Sequence, residues 1–238
     1  MKKIFGSVLL AALLAVGLAA CGDNEAQTVD NVSAPQSSTS EEPEEIKTAA
    51  DGKTLVAVFS RVPNSDIDDD VDVTSGASLN KTDAGIKGDT EMMAQVAVDA
   101  TGGDLFEIVV DKPYSADEEK VYDQAKQEQL DQARPALKTK VENMDKYSTI
   151  VLIYPNWWGS IPMPVATFLE EYDLSKKTIL PVCCYDAEDD GAGNSRADIQ
   201  ALVKGYVTNA YSVRGSGGAT SGTRTDFTSW LQKMPVNY

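Results

Sequence analysis

Residues Ile150 to Tyr154 read IVLIY, an unbroken apolar run closed by Pro155. A run this short, apolar at every position, suits a strand covered on both faces, which places it in the interior of a parallel sheet. Asn156, Trp157, Trp158 and Gly159 follow as an aromatic loop. Pro162 and Pro164 then fit the first turn of a helix. Two indoles just past the carboxyl end of such a strand stand where open α/β sheets take their ligands. One ring alone would read as cover for a hydrophobic edge; the pair reads as a ligand wall.

The rest of the chain repeats this pattern. Strands are predicted at Lys53 to Ser60, Asp104 to Val110, Tyr147 to Tyr154, Lys177 to Tyr185 and Tyr206 to Val213. Helices are predicted at Thr90 to Thr101, Asp117 to Ala133, Pro162 to Tyr172, Ser195 to Leu202 and Thr225 to Lys233. Ser60 to Lys87 reads as one long polar loop, and Gly215 to Gly222 as a turn. Five strands alternating with helices imply a parallel sheet covered on both faces. The expected strand order is 2-1-3-4-5, which puts the ligand crevice at the loops after Ser60, Tyr154 and Tyr185.

Of the 238 residues, the first 52 are expected to lie outside this domain. Lys2 and Lys3 precede an apolar segment, Ile4 to Val16, that is short for a membrane span, so residues 1–20 read as a signal peptide. Leu18-Ala19-Ala20-Cys21 resembles the bacterial lipobox, which implies a lipid on Cys21 and anchoring to the outer side of the cell membrane. Residues 21–52 carry eight acids against one lysine and almost no large apolar side chains, the composition of a disordered spacer. Residues 53–238 form the expected domain.

That domain has 29 acidic and 18 basic residues, a net charge of −11, which argues against nucleic acid as a partner. The sequence has no histidine, so catalytic triads, Cys-His pairs and histidine-based zinc sites are excluded. Cys183 and Cys184 are neighbours in a predicted strand and should point to opposite faces, as two small buried residues. Asp66, Asp68, Asp70 and Asp72 have the alternation of a calcium loop. Val71 and Ala77 stand where its turn glycine and closing glutamate belong, so no metal site is assigned.

Several segments carry a family resemblance: LVAVFSR from Leu55, GDT at Gly88 to Thr90, TGGDLFEIV from Thr101, ARPALK from Ala133, YPNWWGSIPMPVATFLE from Tyr154 and KKTILPVC from Lys176. Through them the whole domain resembles the flavodoxin-like proteins, a three-layer α/β sandwich around a five-stranded parallel sheet. The resemblance implies bound flavin mononucleotide (FMN) and electron transfer. It implies that Ser60, Arg61 and Asn64, with Gly88, Asp89 and Thr90, hold the phosphate. Backbone N–H groups at a helix start and hydroxyls suit a dianion. It implies that Pro155, Asn156, Trp157, Trp158 and Gly159 border the isoalloxazine, with Trp158 the favoured stacking ring, and that Cys184, Tyr185, Asp186 and Gly191 form the third loop.

The sequence departs from the family pattern in places. Asp89 replaces the usual Asn, Pro63 a usual Gly, and Asp186, Glu188, Asp189 and Asp190 crowd the third loop. Carboxylates there oppose a reduced, anionic flavin, so the expected second reduction step lies below that of free FMN. Three functions follow: a membrane-tethered electron carrier whose expected redox partner is a basic protein steered by charge, or a small acceptor; an FMN-dependent reductase of quinone-like acceptors; and an FMN-free binding module.

Overall fold

A computed structural model of the chain describes residues 53–67, 79–83, 85–186, 191–215 and 220–234. In chain order the elements are β1 (Lys53–Val58), β2 (Asn80–Thr82), β3 (Gly85–Lys87), α1 (Asp89–Thr101), β4 (Asp104–Glu107), α2 (Glu118–Leu130), β5 (Tyr147–Pro155), α3 (Met163–Glu170), β6 (Thr178–Tyr185), α4 (Ser195–Leu202), β7 (Tyr206–Val207), β8 (Tyr211–Arg214) and α5 (Ser221–Leu231). The signal peptide, Cys21 and the acidic linker lie outside the described residues. So do Asp68, Asp69, Asp70 and Asp72, Glu188 to Asp190, and most of the turn before α5. Among the described residues no helix is long and apolar enough to cross a membrane.

The main sheet has the order β4-β1-β5-β6-β7, all parallel, with β8 also pairing β6. Taken as five strand positions this is the 2-1-3-4-5 order, so the three-layer flavodoxin-like sandwich is as expected from the sequence. β5 lies at its centre and every one of its residues is buried. Ile150, Leu152 and Tyr154 enter one core cluster; Val151 and Ile153 enter the other. This explains the continuous apolar run, because both faces of the strand are covered by helices. Cys183 and Cys184 divide in the same way between the two clusters. Burial pushes the Cys184 thiol well up, so it stays protonated.

Three elements differ from the sequence reading. The fifth strand is split: Val207 pairs with Ile179 and Tyr211 with Val182, four residues on one side against three on the other. Arg196 of α4 takes the carbonyls of Val207 and Thr208 in the break. The second strand stops at Glu107, because the N–H groups of Val109 and Val110 go to the side chains of Thr139 and Asn64. The long first loop contains an antiparallel hairpin, β2 with β3, whose turn is tied by Thr82 Oγ1 donating to Gly85 O at 2.7 Å.

Candidate functional site

The carboxyl ends of β1, β5 and β6 lie side by side, and the loops leaving them define the site. After β5 the chain turns sharply. Trp157 and Ser160 exchange backbone hydrogen bonds, N–H to O at 3.1 and 3.2 Å. Trp158 and Gly159 at its centre have φ of 50° and 74°. Positive φ at both central residues is the I′ pattern, to which glycine and asparagine are suited and tryptophan is not. Contacts hold the strained turn in place. Asn194 N–H donates to Gly159 O at 2.7 Å, and Gln129 Nε2 donates to Trp157 O at 3.1 Å. Ser160 Oγ donates to Asp198 on α4. Gly193 packs so closely on Gly159 that a Cβ there would lie 2.4 Å from its carbonyl oxygen.

The two indoles part company at this turn. Trp157 stands edge-on to Phe59 and Tyr114, with centroids 5.5 and 5.6 Å away, over the end of β1. Trp158 leans on Tyr122 of α2 at 4.6 Å. It also lines a cleft of about 340 Å³ that includes Gln129, Met163, Asn194 and Leu202. The ring over the strand ends is therefore Trp157, whereas the sequence reading favoured Trp158.

Asn156 joins the second and third loops. Its N–H donates to Cys184 O at 2.7 Å and its Nδ2 to Gly191 O at 3.2 Å. Its Oδ1 is buried and finds no partner among the described residues. Tyr185 is half-buried and Asp186 exposed. Beneath them, the buried Tyr154 hydroxyl donates to Ser195 Oγ at 2.9 Å, and burial pushes that phenol up.

The first loop is organised differently from the expectation. Asn64 is fully buried and donates to Ser60 O and Ile108 O at 2.8 and 2.9 Å while accepting from Val110 N–H at 2.7 Å. It ties the loop to the end of β4. Tyr114, which the sequence analysis missed, pairs with the same loop: its N–H donates to Asn64 O at 2.7 Å and its hydroxyl to Glu128 at 2.7 Å. Arg61 is 7% exposed and donates from Nη2 to Ala116 O at 3.0 Å; its buried Nε has no partner among the described residues. Burial pulls this guanidinium down, against the opposing pull of Glu118 and Asp117. Arg61 thus reaches toward the segment that precedes α2.

At the start of α1, Gly88, Asp89 and Thr90 are all buried. Asp89 Oδ1 accepts from Asn80 Nδ2 at 2.8 Å, so the unusual aspartate serves to pin the β2–β3 hairpin. Glu91 Oε2 accepts from Ser60 Oγ at 3.1 Å and from Gly88 N–H at 2.6 Å. Glu91 was also overlooked, although a glutamate three residues after a helix cap is a signal readable in sequence.

The structure therefore brings Asn156, Gly159, Cys184 and Gly191 together around one pair of loops and places Trp157 beside them. It joins Ser60 to Gly88 through Glu91, and turns Asn64 toward the end of β4 and Arg61 toward the segment before α2. These residues fit the ring end of a flavin: a buried unpartnered acceptor, an indole and loop backbone. At the phosphate end the donors are present, and the chain's own carboxylate holds them.

Comparison with known proteins agrees with the fold. The flavodoxin family profile matches residues 82–234. A candidate flavoprotein from Bacteroides eggerthii superposes with a TM-score of 0.54 at 24% identity, covering 78% of this chain and 99% of its own. A second, from Bacteroides uniformis, gives 0.54 and 23% over 76% and 99%. A Lactobacillus acidophilus flavoprotein in complex with FMN, at 0.47 and 15% over 67% and 92%, is too distant to bear on this chain. No curated protein matches significantly. The profile spans well over half of the sequence, and the chain belongs to the flavodoxin family.

Proposed function

We propose that the chain binds FMN in the crevice at the ends of β1, β5 and β6 and carries electrons, tethered outside the cell membrane by a lipid on Cys21. Family membership supports the cofactor; the lipobox-like sequence supports the tether. The flavin supplies the electron chemistry, so a chain without histidine needs no catalytic side chain for it. The residues of the chain orient the ring and exclude water. The domain's charge of −11 favours a basic redox partner, attracted by long-range steering.

The observation that carries this reading is Asn156 Oδ1, a buried acceptor between two ligand loops that finds no partner among the described residues. A buried acceptor left unpaired is destabilising, and the ring N–H of an isoalloxazine is the kind of donor that would satisfy it. Asn156→Ala should weaken FMN and riboflavin alike by about tenfold, since each 1.4 kcal/mol is tenfold in affinity. Unchanged affinity for both would place the ring elsewhere. A redox titration of the FMN complex should put its second reduction step below that of free FMN; an equal or higher potential contradicts the role given to the acidic third loop.

One observation favours a second reading, a reductase of quinone-like acceptors. Trp158 walls a separate cleft beside the ring loop, lined by Met163 and Leu202 as well as by amides. Saturable reoxidation of the reduced flavoprotein by a benzoquinone, lost in Trp158→Ala, supports it; a rate linear in quinone counts against it.

A further inference from the structure

The start of α1 already holds an anion. A bound phosphate at this point would draw on the Ser60 hydroxyl and on backbone N–H groups at the helix N-terminus. The Ser60 hydroxyl and the Gly88 N–H instead converge on one oxygen, Glu91 Oε2, at 3.1 and 2.6 Å. The buried Asp89 adds a second carboxylate in the same helical turn. The positive end of the helix dipole, roughly half an elementary charge, is thus faced by two negative side chains before any ligand arrives. Asp89 is fixed by Asn80, whereas Glu91 is only partly buried.

Building on the flavin reading, we propose that Glu91 is a surrogate for the flavin phosphate. Its carboxylate occupies the phosphate donors in the flavin-free protein and must leave them, or share them with a dianion, when FMN binds. Glu91 is thereby a specificity-determining residue. It penalises phosphorylated flavin and leaves the uncharged riboflavin unaffected, so the site discriminates little between the two.

The test is Glu91→Gln in the full-length chain, because glutamine keeps the capping hydrogen bonds and removes the charge. The probes are FMN, riboflavin and inorganic phosphate. Wild type should bind FMN and riboflavin with affinities within about tenfold of each other, and E91Q should tighten FMN by about tenfold while leaving riboflavin unchanged. Inorganic phosphate should raise the Tm of E91Q and not that of wild type, since a ligand stabilises the state that binds it. Glu91→Ala, which empties the donors altogether, should show the same phosphate-induced rise from a lower starting Tm. An unchanged FMN-to-riboflavin ratio in E91Q, or equal phosphate shifts (including none) in all three proteins, overturns the proposal. If neither flavin binds to any of the proteins, the flavin reading fails, and the phosphate shifts alone still decide the role of Glu91.

Discussion

Replacing Asn64 with alanine should destabilise the fold by about 3 kcal/mol, because three backbone groups lose their partner and an unpaired buried group is worth about 1–3 kcal/mol. The groups are Ser60 O, Ile108 O and Val110 N–H, all bonded to one fully buried side chain. The cavity left by the amide adds to the loss. The damage extends to the site. Asn64 O accepts from Tyr114 N–H, and Tyr114 is one of the rings against which Trp157 stands. Urea unfolding should show a lower midpoint with an unchanged m value. Asn64→Asp should be no milder, since its carboxylate would face the carbonyls of Ser60 and Ile108. A loss well under about 1 kcal/mol in Asn64→Ala would mean that the loop is held by other contacts.

The second large effect is expected at Gly193→Ala. An added Cβ would lie 2.4 Å from Gly159 O and 2.7 Å from its Cα, and φ at Gly193 is 51°. Steric overlap costs about 1–3 kcal/mol and the left-handed conformation about 1–2 kcal/mol more, so a loss of about 3 kcal/mol is expected. Relief can come only by driving the third loop away from the turn at Trp158 and Gly159. That movement breaks the Asn194–Gly159 bond, so flavin affinity should fall by more than tenfold. Gly85→Ala is the control. Its φ is 99° but nothing lies within 4 Å of the added atom, so it should lose conformational energy alone and leave flavin binding intact. Equal effects of the two substitutions on flavin binding would remove the contact argument.

Much of this architecture could be read from the chain. The IVLIY run located the central strand because burial on both faces removes any polar alternation, and the structure divides its residues between two cores as that argument requires. Adjacent cysteines on opposite faces follow from strand geometry alone. α4, Ser195–Leu202, has the predicted bounds. What escaped depended on partners distant in sequence. The β2–β3 hairpin has hardly any apolar residue and so lacks the alternation by which strands are recognised. The end of β4 is set by Asn64 and Thr139, side chains 46 and 30 residues away from the N–H groups they capture. The unusual Asp89 looked like a defect in phosphate binding until Asn80 appeared as its donor. The places of the two indoles depend on the positive φ of Trp158, which local propensity disfavours and tertiary clamping imposes.

The site was legible to a similar degree. The loops were identified because the 2-1-3-4-5 order fixes where strand ends converge. The division of labour inside them was not, because it depends on which donors are already taken. Ser60 and Gly88 carry donors of the right kind, and only the geometry reveals that Glu91 holds both.

The loops after β1, β5 and β6 are proposed to form a flavin crevice. Titrating the purified protein into FMN while following flavin fluorescence and the visible spectrum tests it most directly. Saturable uptake of one FMN per chain, with fluorescence quenched by Trp157 and the quenching reduced in Trp157→Phe, is the predicted result. A colourless protein that shows no saturable uptake of FMN would contradict it.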